Sequence, residues 1–493
     1  MGKVRNQGIW SAIWSYGGML LGFYFTTFLF PEHFSEAEIG LRTVLGEMAL
    51  IFGKLCVAGM SASYLKFFPI LEHRQTKDYG LGFLVLVIPL AAFALLTVLG
   101  LVFEEPVLNY FAAKAPLLRD YYYLVFPFAL VWIYLSVFDA LARSRFHVIY
   151  SIFNRQLLVR VLLIGTVFLV LLVPDLRVHY WNFYVGAWGL TLLSLIAYVI
   201  IRTPVRIGYH SRVWRRRFFR HITRFGSYNV LTNLSAQLIL RIDILMLTKY
   251  LGLEAAGIYG MSVYLVSLVD QAKRVMSSIS VPYLSRYWKD RNLDAINKLF
   301  REVGINQLVA GTGMFLLIWT NIDSFYAIIA KGEFFAGGKW AFFILGLTKL
   351  TDMAFSCNSE VIAYSKHFRM NLYFQLVMLV LVISTNALLI PPYGLEGAAL
   401  ASLITYFAFN LLKFGFLYQR FRLSPFQWRM LLVIAIAAGV GFLTTLWSLE
   451  NKWLDIALRS VVVAALYGGA VLALGISTQL NDLVAKSRKR FLG

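Results

Sequence analysis

Apolar blocks about twenty residues long recur along this chain, and that recurrence constrains its fold more than any other feature. A helix needs roughly 20 residues to cross about 30 Å of hydrocarbon. Between charged or Pro/Gly breaks the blocks fall near 8–30, 38–68, 81–103, 118–142, 156–173 and 181–201. After a basic stretch they resume near 225–248, 256–280, 304–322, 338–364, 371–390, 395–418, 426–448 and 454–475. The 493 residues are 59% hydrophobic and 14% charged, a balance that no soluble core can bury. The expected fold is all-α, a polytopic membrane protein of about 14 transmembrane helices.

The formal net charge of +21 would point to nucleic acid in a soluble domain. Here the basic residues sit in loops between apolar blocks, so no nucleic-acid partner is expected. Cytoplasmic loops retain Lys and Arg. One side of the alternation holds Lys3, Arg5, Arg74, Lys77, Arg143, Arg145, Arg155, the cluster from Arg202 to Arg224, Arg286, Lys289, Arg291, Lys298, Arg301, Lys366, Arg369, Arg420, Arg422 and the tail Lys486 to Arg490. The other side has little more than Lys114, Arg177, Lys249, Lys331 and Lys452. Both termini are therefore expected in the cytoplasm. No small-residue cleavage site follows the first apolar run, which reads as a retained span. The cluster from Arg202 to Arg224 reads as a topology determinant beside anionic membrane lipids, or as an interfacial helix.

Spacing suggests that the two halves are related. Gly8 and Gly40 open the first two spans, 32 residues apart, and Gly226 and Gly257 open the seventh and eighth, 31 apart. Each second helix ends at a stretch carrying proline, Pro69 after Phe67 and Phe68 in one case and Pro282 before Tyr283 in the other. Both copies start from the cytoplasm, which makes a parallel six-helix repeat, two bundles side by side with a cavity between them. The expected domains are an N-terminal six-helix lobe at 1–205, a basic cytoplasmic linker at 206–224, a C-terminal six-helix lobe at 225–420, and two additional helices with a basic tail at 421–493.

A charged side chain at mid-bilayer costs on the order of 3 kcal/mol on insertion scales, so it normally faces a partner or a wet cavity. The deepest here are Glu47 and Lys54 in span two, Arg241 and Asp243 in span seven, and Lys349 and Asp352 in span ten. Glu47 and Lys54, seven apart, share a helix face. Arg241 and Asp243, two apart, lie on nearly opposite faces, so each needs a partner from another helix. Lys349 and Asp352, three apart, can pair with each other. Nearer the span ends, Asp270, Lys273 and Arg274 read as a solvated interfacial cluster, and Arg160 and Lys413 as snorkelling cations. A cavity lined by Lys54, Arg241 and Lys349 suits a phosphate or diphosphate group. Glu47, Asp243 and Asp352 are the candidates for holding a coupling proton or sodium ion, the choice between the two being open.

Nothing points to enzyme chemistry. The seven histidines fall in loops or at span ends, and adjacent Glu104 and Glu105 read as an exposed acidic turn. Cys56 and Cys357 lie inside apolar blocks at no metal-ligand spacing and read as small apolar filler. No phosphate-cradling G-x-x-x-x-G-K-[ST] occurs, so ATP is not the direct energy source, and no metal or other cofactor is expected.

Four stretches carry a resemblance: Gly8, Ile9, Trp10, Ser11 through Gly22; Arg241 through Asp243 to Thr248; Ala256, Gly257, Ile258, Tyr259; and Val281 to Ser285. With the span count and order of nearly the whole chain, they resemble the polysaccharide transport branch, the Wzx-type flippases, of the multidrug/oligosaccharidyl-lipid/polysaccharide exporter (MOP) superfamily. The resemblance implies a two-lobed bundle in the cell inner membrane that opens alternately inward and outward. It implies transfer of undecaprenyl-diphosphate-linked oligosaccharide to the periplasmic leaflet, for polysaccharide or O-antigen export, with a polysaccharide polymerase complex as a further partner. It also implies a cationic central cavity, onto which Lys54 and Arg241 map. Drug-exporting relatives often keep an acidic residue in the first helix, and span one here has no deep charge. A lipid II flippase, a cation-coupled small-molecule antiporter and a non-transporting subunit of a polysaccharide synthase complex stay open as alternatives.

Overall fold

The structure, a computed structural model, describes residues 2–71, 80–111, 114–145, 147–202, 216–477 and 479. All regular elements among the described residues are helical. The main ones are α1 (Gly2–Tyr24), α2 (Glu36–Cys56), α3 (Met60–Leu71), α4 (Leu81–Val102), α5 (Val125–Ser144), α6 (Val159–Leu172), α7 (Tyr180–Arg202) and α8 (Arg216–Leu251). They continue with α9 (Leu253–Lys289), α10 (Leu293–Trp319), α11 (Lys339–Ala354), α12 (Asn358–Tyr364), α13 (Met370–Phe421), α14 (Trp428–Thr445) and α15 (Lys452–Ala473).

Among the described residues eleven helices are long and apolar enough to cross a membrane, or twelve with α2 and α3 counted as one span bent by 49°. The chain is a multi-pass membrane protein. The expected fourteen is not reached on that count, and two local features account for the difference. Helix α13 runs 52 residues but is interrupted at Gly394, whose φ of 58° and ψ of −128° form a conformation open mainly to glycine. Pro391 and Pro392 precede it and cannot donate to the helix ladder. Beyond the break the chain doubles back, so that the hydroxyls of Thr385 and Thr405 lie 3.0 Å apart. Helix α11 has only 16 residues and is followed by α12 after a break at Ser356, where φ is 60°.

Packing divides the chain into two units, Met1–Arg241 with Leu251–Gly257, and Ile242–Tyr250 with Ile258–Gly493. The first unit extends past the basic segment into α8. Residues 206–215 of the expected linker lie outside the described residues, as do Arg74, Lys77 and the tail Lys486 to Arg490. Residues 216–224 form the first turns of α8.

Helix α5 is the centre of the first unit. Its Leu135, Val137 and Leu141 are buried with Tyr64 and Phe68 of α3, Leu84 of α4 and Leu195 of α7. Helix α2 opens with a capping box, Ser35 accepting from the Glu38 N–H while the Glu38 carboxylate accepts from the Ser35 N–H. One turn on, Gly40 lies against the backbone of Leu253, and Gly257 lies against the backbone of Gly40. The two glycines that mark the start of spans two and eight therefore meet, because neither has a Cβ to hold the chains apart. In the second unit Leu284 of α9, Phe300 of α10, Val361 of α12 and Leu417 of α13 share a buried cluster.

Gly40→Ala would drive a Cβ into the Leu253 carbonyl, a backbone group that cannot swing aside. It is expected to cost ~1–3 kcal/mol, read as a lowered thermal midpoint of the purified protein. Gly46→Ala, whose Cβ would meet nothing within 4 Å, is expected to raise the midpoint slightly, since alanine favours a helix interior over glycine.

Candidate functional site

Helix α8 carries Arg241 to Glu47 of α2, where Nη1 donates to Oε1 in an ion pair. The two side chains are 30% and 13% exposed. This supplies the partner from another helix that Arg241 requires, and it joins a residue expected to bind substrate to one expected to hold a coupling ion. Asp243 accepts from the Tyr259 hydroxyl of α9 at 2.8 Å and from the N–H of Ile244 at 2.8 Å.

Lys54 occupies the last turn of α2, just before the break at Ala58 and Gly59, where φ is 52° and 69°. No ion pair engages its ammonium among the described residues, and its charged neighbours are Arg155 and Asp139. Asp139 of α5 is held by Arg143 Nε at 2.9 Å and by Arg155 Nη1 at 3.5 Å, and it accepts from the Ser151 hydroxyl. Two guanidinium groups thus hold one carboxylate, with the Lys54 ammonium within electrostatic range of it. The Arg143 and Arg155 side chains are 46% and 39% exposed, so their remaining donors can reach a ligand. In the sequence Arg143 and Arg155 look like ordinary loop cations. A π-helical turn at Asn154–Leu158 carries Arg155, and Arg160 donates to the Arg155 carbonyl at 2.6 Å.

In the second unit, α9, α11 and α13 build a buried polar network. Lys349 and Asp352 do not pair with each other as their spacing allows. Asp352 Oδ2 takes Lys273 Nζ of α9 at 2.6 Å, and its Oδ1 accepts from Asn410 Nδ2 of α13 at 2.9 Å. Lys349 Nζ lies 3.9 Å from Asp270 Oδ1 and 4.8 Å from the centre of the Tyr406 ring. The reading of Asp270, Lys273 and Arg274 as one solvated cluster is corrected: consecutive helical residues point about 100° apart, so Arg274 stays 58% exposed while Lys273 turns inward at 17%. Lys413 does not snorkel either. It is 3% exposed, lies over the Phe409 ring at 3.7 Å and donates to Ser359 Oγ at 2.5 Å, because its face of α13 turns toward α12.

Cys56 and Cys357 are buried in apolar clusters. Glu105 forms an exposed ion pair with Arg119 at 2.8 Å. Among the described residues no group of three or more His, Cys, Asp or Glu is placed to hold a metal ion.

A sequence family described as polysaccharide biosynthesis protein matches residues 91–321. A lipid II flippase, MurJ, in an inward closed conformation is similar over 97% of this chain and 100% of its own, with a TM-score of 0.72 and 14% identity. This chain has the fold of the MOP superfamily. An inward-facing multidrug resistance MATE transporter of that superfamily is similar over 84% of this chain and 94% of its own, with a TM-score of 0.65 and 16% identity. A MOP superfamily transporter from Pyrococcus furiosus matches over 86% of this chain and 93% of its own, at a TM-score of 0.52 and 14% identity. No curated protein sequence matches the chain. These neighbours are transporters and a flippase, none of them an enzyme.

The pair of Arg241 and Glu47 is testable by a double-mutant cycle. Glu47→Gln and Arg241→Gln should each lower the thermal midpoint, and the double variant should lose less than their sum. The expected coupling is ~0.5–3 kcal/mol, as for groups in one ionic network, and additive losses would mean that the pair contributes nothing.

Proposed function

We propose that the chain is a flippase that moves undecaprenyl-diphosphate-linked oligosaccharide across the inner membrane by alternating access, for polysaccharide or O-antigen export. The observation that carries this reading is the surplus of cations in the first unit. Among the described residues Arg143 and Arg155 share the carboxylate of Asp139, and the nearby Lys54 ammonium, within range of the same charge, has no ion pair. Guanidinium groups bind phosphate oxygens through paired donors, and a diphosphate offers enough negative charge to use what Asp139 leaves over. The polysaccharide biosynthesis family match adds support. Arg241, engaged by Glu47, acts in this reading by fixing α2 and α8, with Lys54 and Arg155 as the headgroup ligands.

A second reading, a lipid II flippase, is favoured by the extent of the likeness to MurJ, which spans 97% of this chain. Both substrates present a lipid diphosphate, so the same cations serve either.

In a deletion strain, Lys54→Ala and Arg155→Ala are expected to reach the membrane yet lower surface polysaccharide by about tenfold or more. That is the loss expected for one charge-assisted phosphate contact. Lipid-linked precursor should accumulate on the cytoplasmic leaflet. Lysis on deletion would favour lipid II as substrate, and normal export by both variants would remove the cationic site from the account.

A further inference from the structure

Asp352 is placed as a cation site, and the cation it holds belongs to the chain. Its Oδ2 accepts from Lys273 Nζ at 2.6 Å. Asn410 turns its amide nitrogen, not its oxygen, to Oδ1 at 2.9 Å, because the Asn410 oxygen already accepts from Asn358 Nδ2 at 2.7 Å. Asp352, Asn358 and Asn410 are all buried, at 8%, 1% and 0% exposure. Both carboxylate oxygens are thus satisfied by N–H donors, and neither amide oxygen faces the carboxylate.

An alkali ion in a membrane protein is held by several oxygens, commonly a carboxylate with carbonyls. Here Asp352 offers only its own two. The surrounding charge also opposes a second cation. Among the described residues the inward-facing Lys273, Lys349 and Lys413 stand around Asp270, Asp352 and Glu360, three positive groups against three negative ones. A further positive ion would add repulsion in a medium that screens it poorly.

We infer that the Lys273 ammonium is a tethered counter-ion standing where a mobile alkali cation would bind Asp352, so that the wild-type chain binds no sodium there and becomes a sodium site only when Lys273 is shortened. This departs from the sequence-based expectation that Asp352 holds a coupling ion. Nothing in it depends on which lipid or sugar is carried.

Removing the ammonium leaves a buried carboxylate without its paired cation and a gap about the length of a propylammonium arm. Sodium or potassium then has both the space and the charge to enter, and any ligand that binds only the folded state raises its thermal midpoint. The experiment compares thermal midpoints of purified full-length protein in choline chloride against sodium, potassium and lithium chloride at equal ionic strength. The wild type is expected to show no alkali-ion shift that depends on Asp352. Lys273→Ala should melt lower in choline and recover several degrees in one of the alkali salts, a recovery absent from the Lys273→Ala, Asp352→Asn double variant. Ethylammonium chloride should rescue Lys273→Ala as well, since it resupplies an ammonium small enough to enter the gap.

Two results overturn the inference. One is a sodium-dependent rise in the wild type that disappears in Asp352→Asn. The other is a folded Lys273→Ala that answers to neither alkali ions nor ethylammonium. If Lys273→Ala does not fold, the wild-type comparison with Asp352→Asn still decides the first point, and Lys273→Ser takes the place of the alanine variant for the second.

Discussion

A charge in hydrocarbon must find a counter-charge or a hydrogen-bonding cage, at a cost on the order of 3 kcal/mol if it finds neither at mid-bilayer. Much of the inner architecture follows from that constraint. Arg241 reaches across from α8 to Glu47 of α2. Lys273 reaches from α9 to Asp352 of α11, and Lys349 of α11 reaches back to Asp270 of α9. Asp243 is met by the hydroxyl of Tyr259. All but the last of these links tie helices that are not consecutive in the chain, so the polar contacts specify which apolar faces meet in a core where packing alone discriminates weakly.

The two units meet the constraint differently, and the difference carries the functional argument. In the second unit donors and acceptors are interlocked from Lys273 through Asp352 and Asn410 to Asn358. The first unit sets two partly exposed guanidinium groups on one carboxylate, with the Lys54 ammonium near them and in no ion pair among the described residues. A closed network leaves both oxygens of Asp352 engaged by donors of the chain itself. An incompletely neutralised one is suited to a polyanion that arrives and leaves.

Periodicity was enough to read the helical, membrane-spanning class from the chain, because twenty-residue apolar blocks have few other outcomes. It also exposed which charges lie deep. Partners were harder. Arg241 and Asp243 visibly required other helices, yet nothing local names Glu47, 194 positions away, as the residue that answers. Lys349 and Asp352 had the right spacing to pair, and the structure separates them because Lys273 and Asp270 offer contacts across α9 and α11. Arg143 and Arg155 passed for loop charges because their convergence on Asp139 depends on how α5 packs beside the π-helical turn at Asn154–Leu158. The span count suffered from the same blindness to local geometry, with the reversal at Gly394 hidden inside a helix of 52 residues.

The most direct measurement is transbilayer movement of a diphosphate-linked oligosaccharide lipid in vesicles containing the purified protein, scored by the accessibility of the sugar to an impermeant glycosidase. Sugar placed in the protected leaflet is expected to become accessible faster than in protein-free vesicles. Replacing Lys54 and Arg155 together is expected to remove the acceleration while the protein remains folded. Equal rates with and without the wild-type protein, or an undiminished rate in that double variant, would contradict the proposed mechanism.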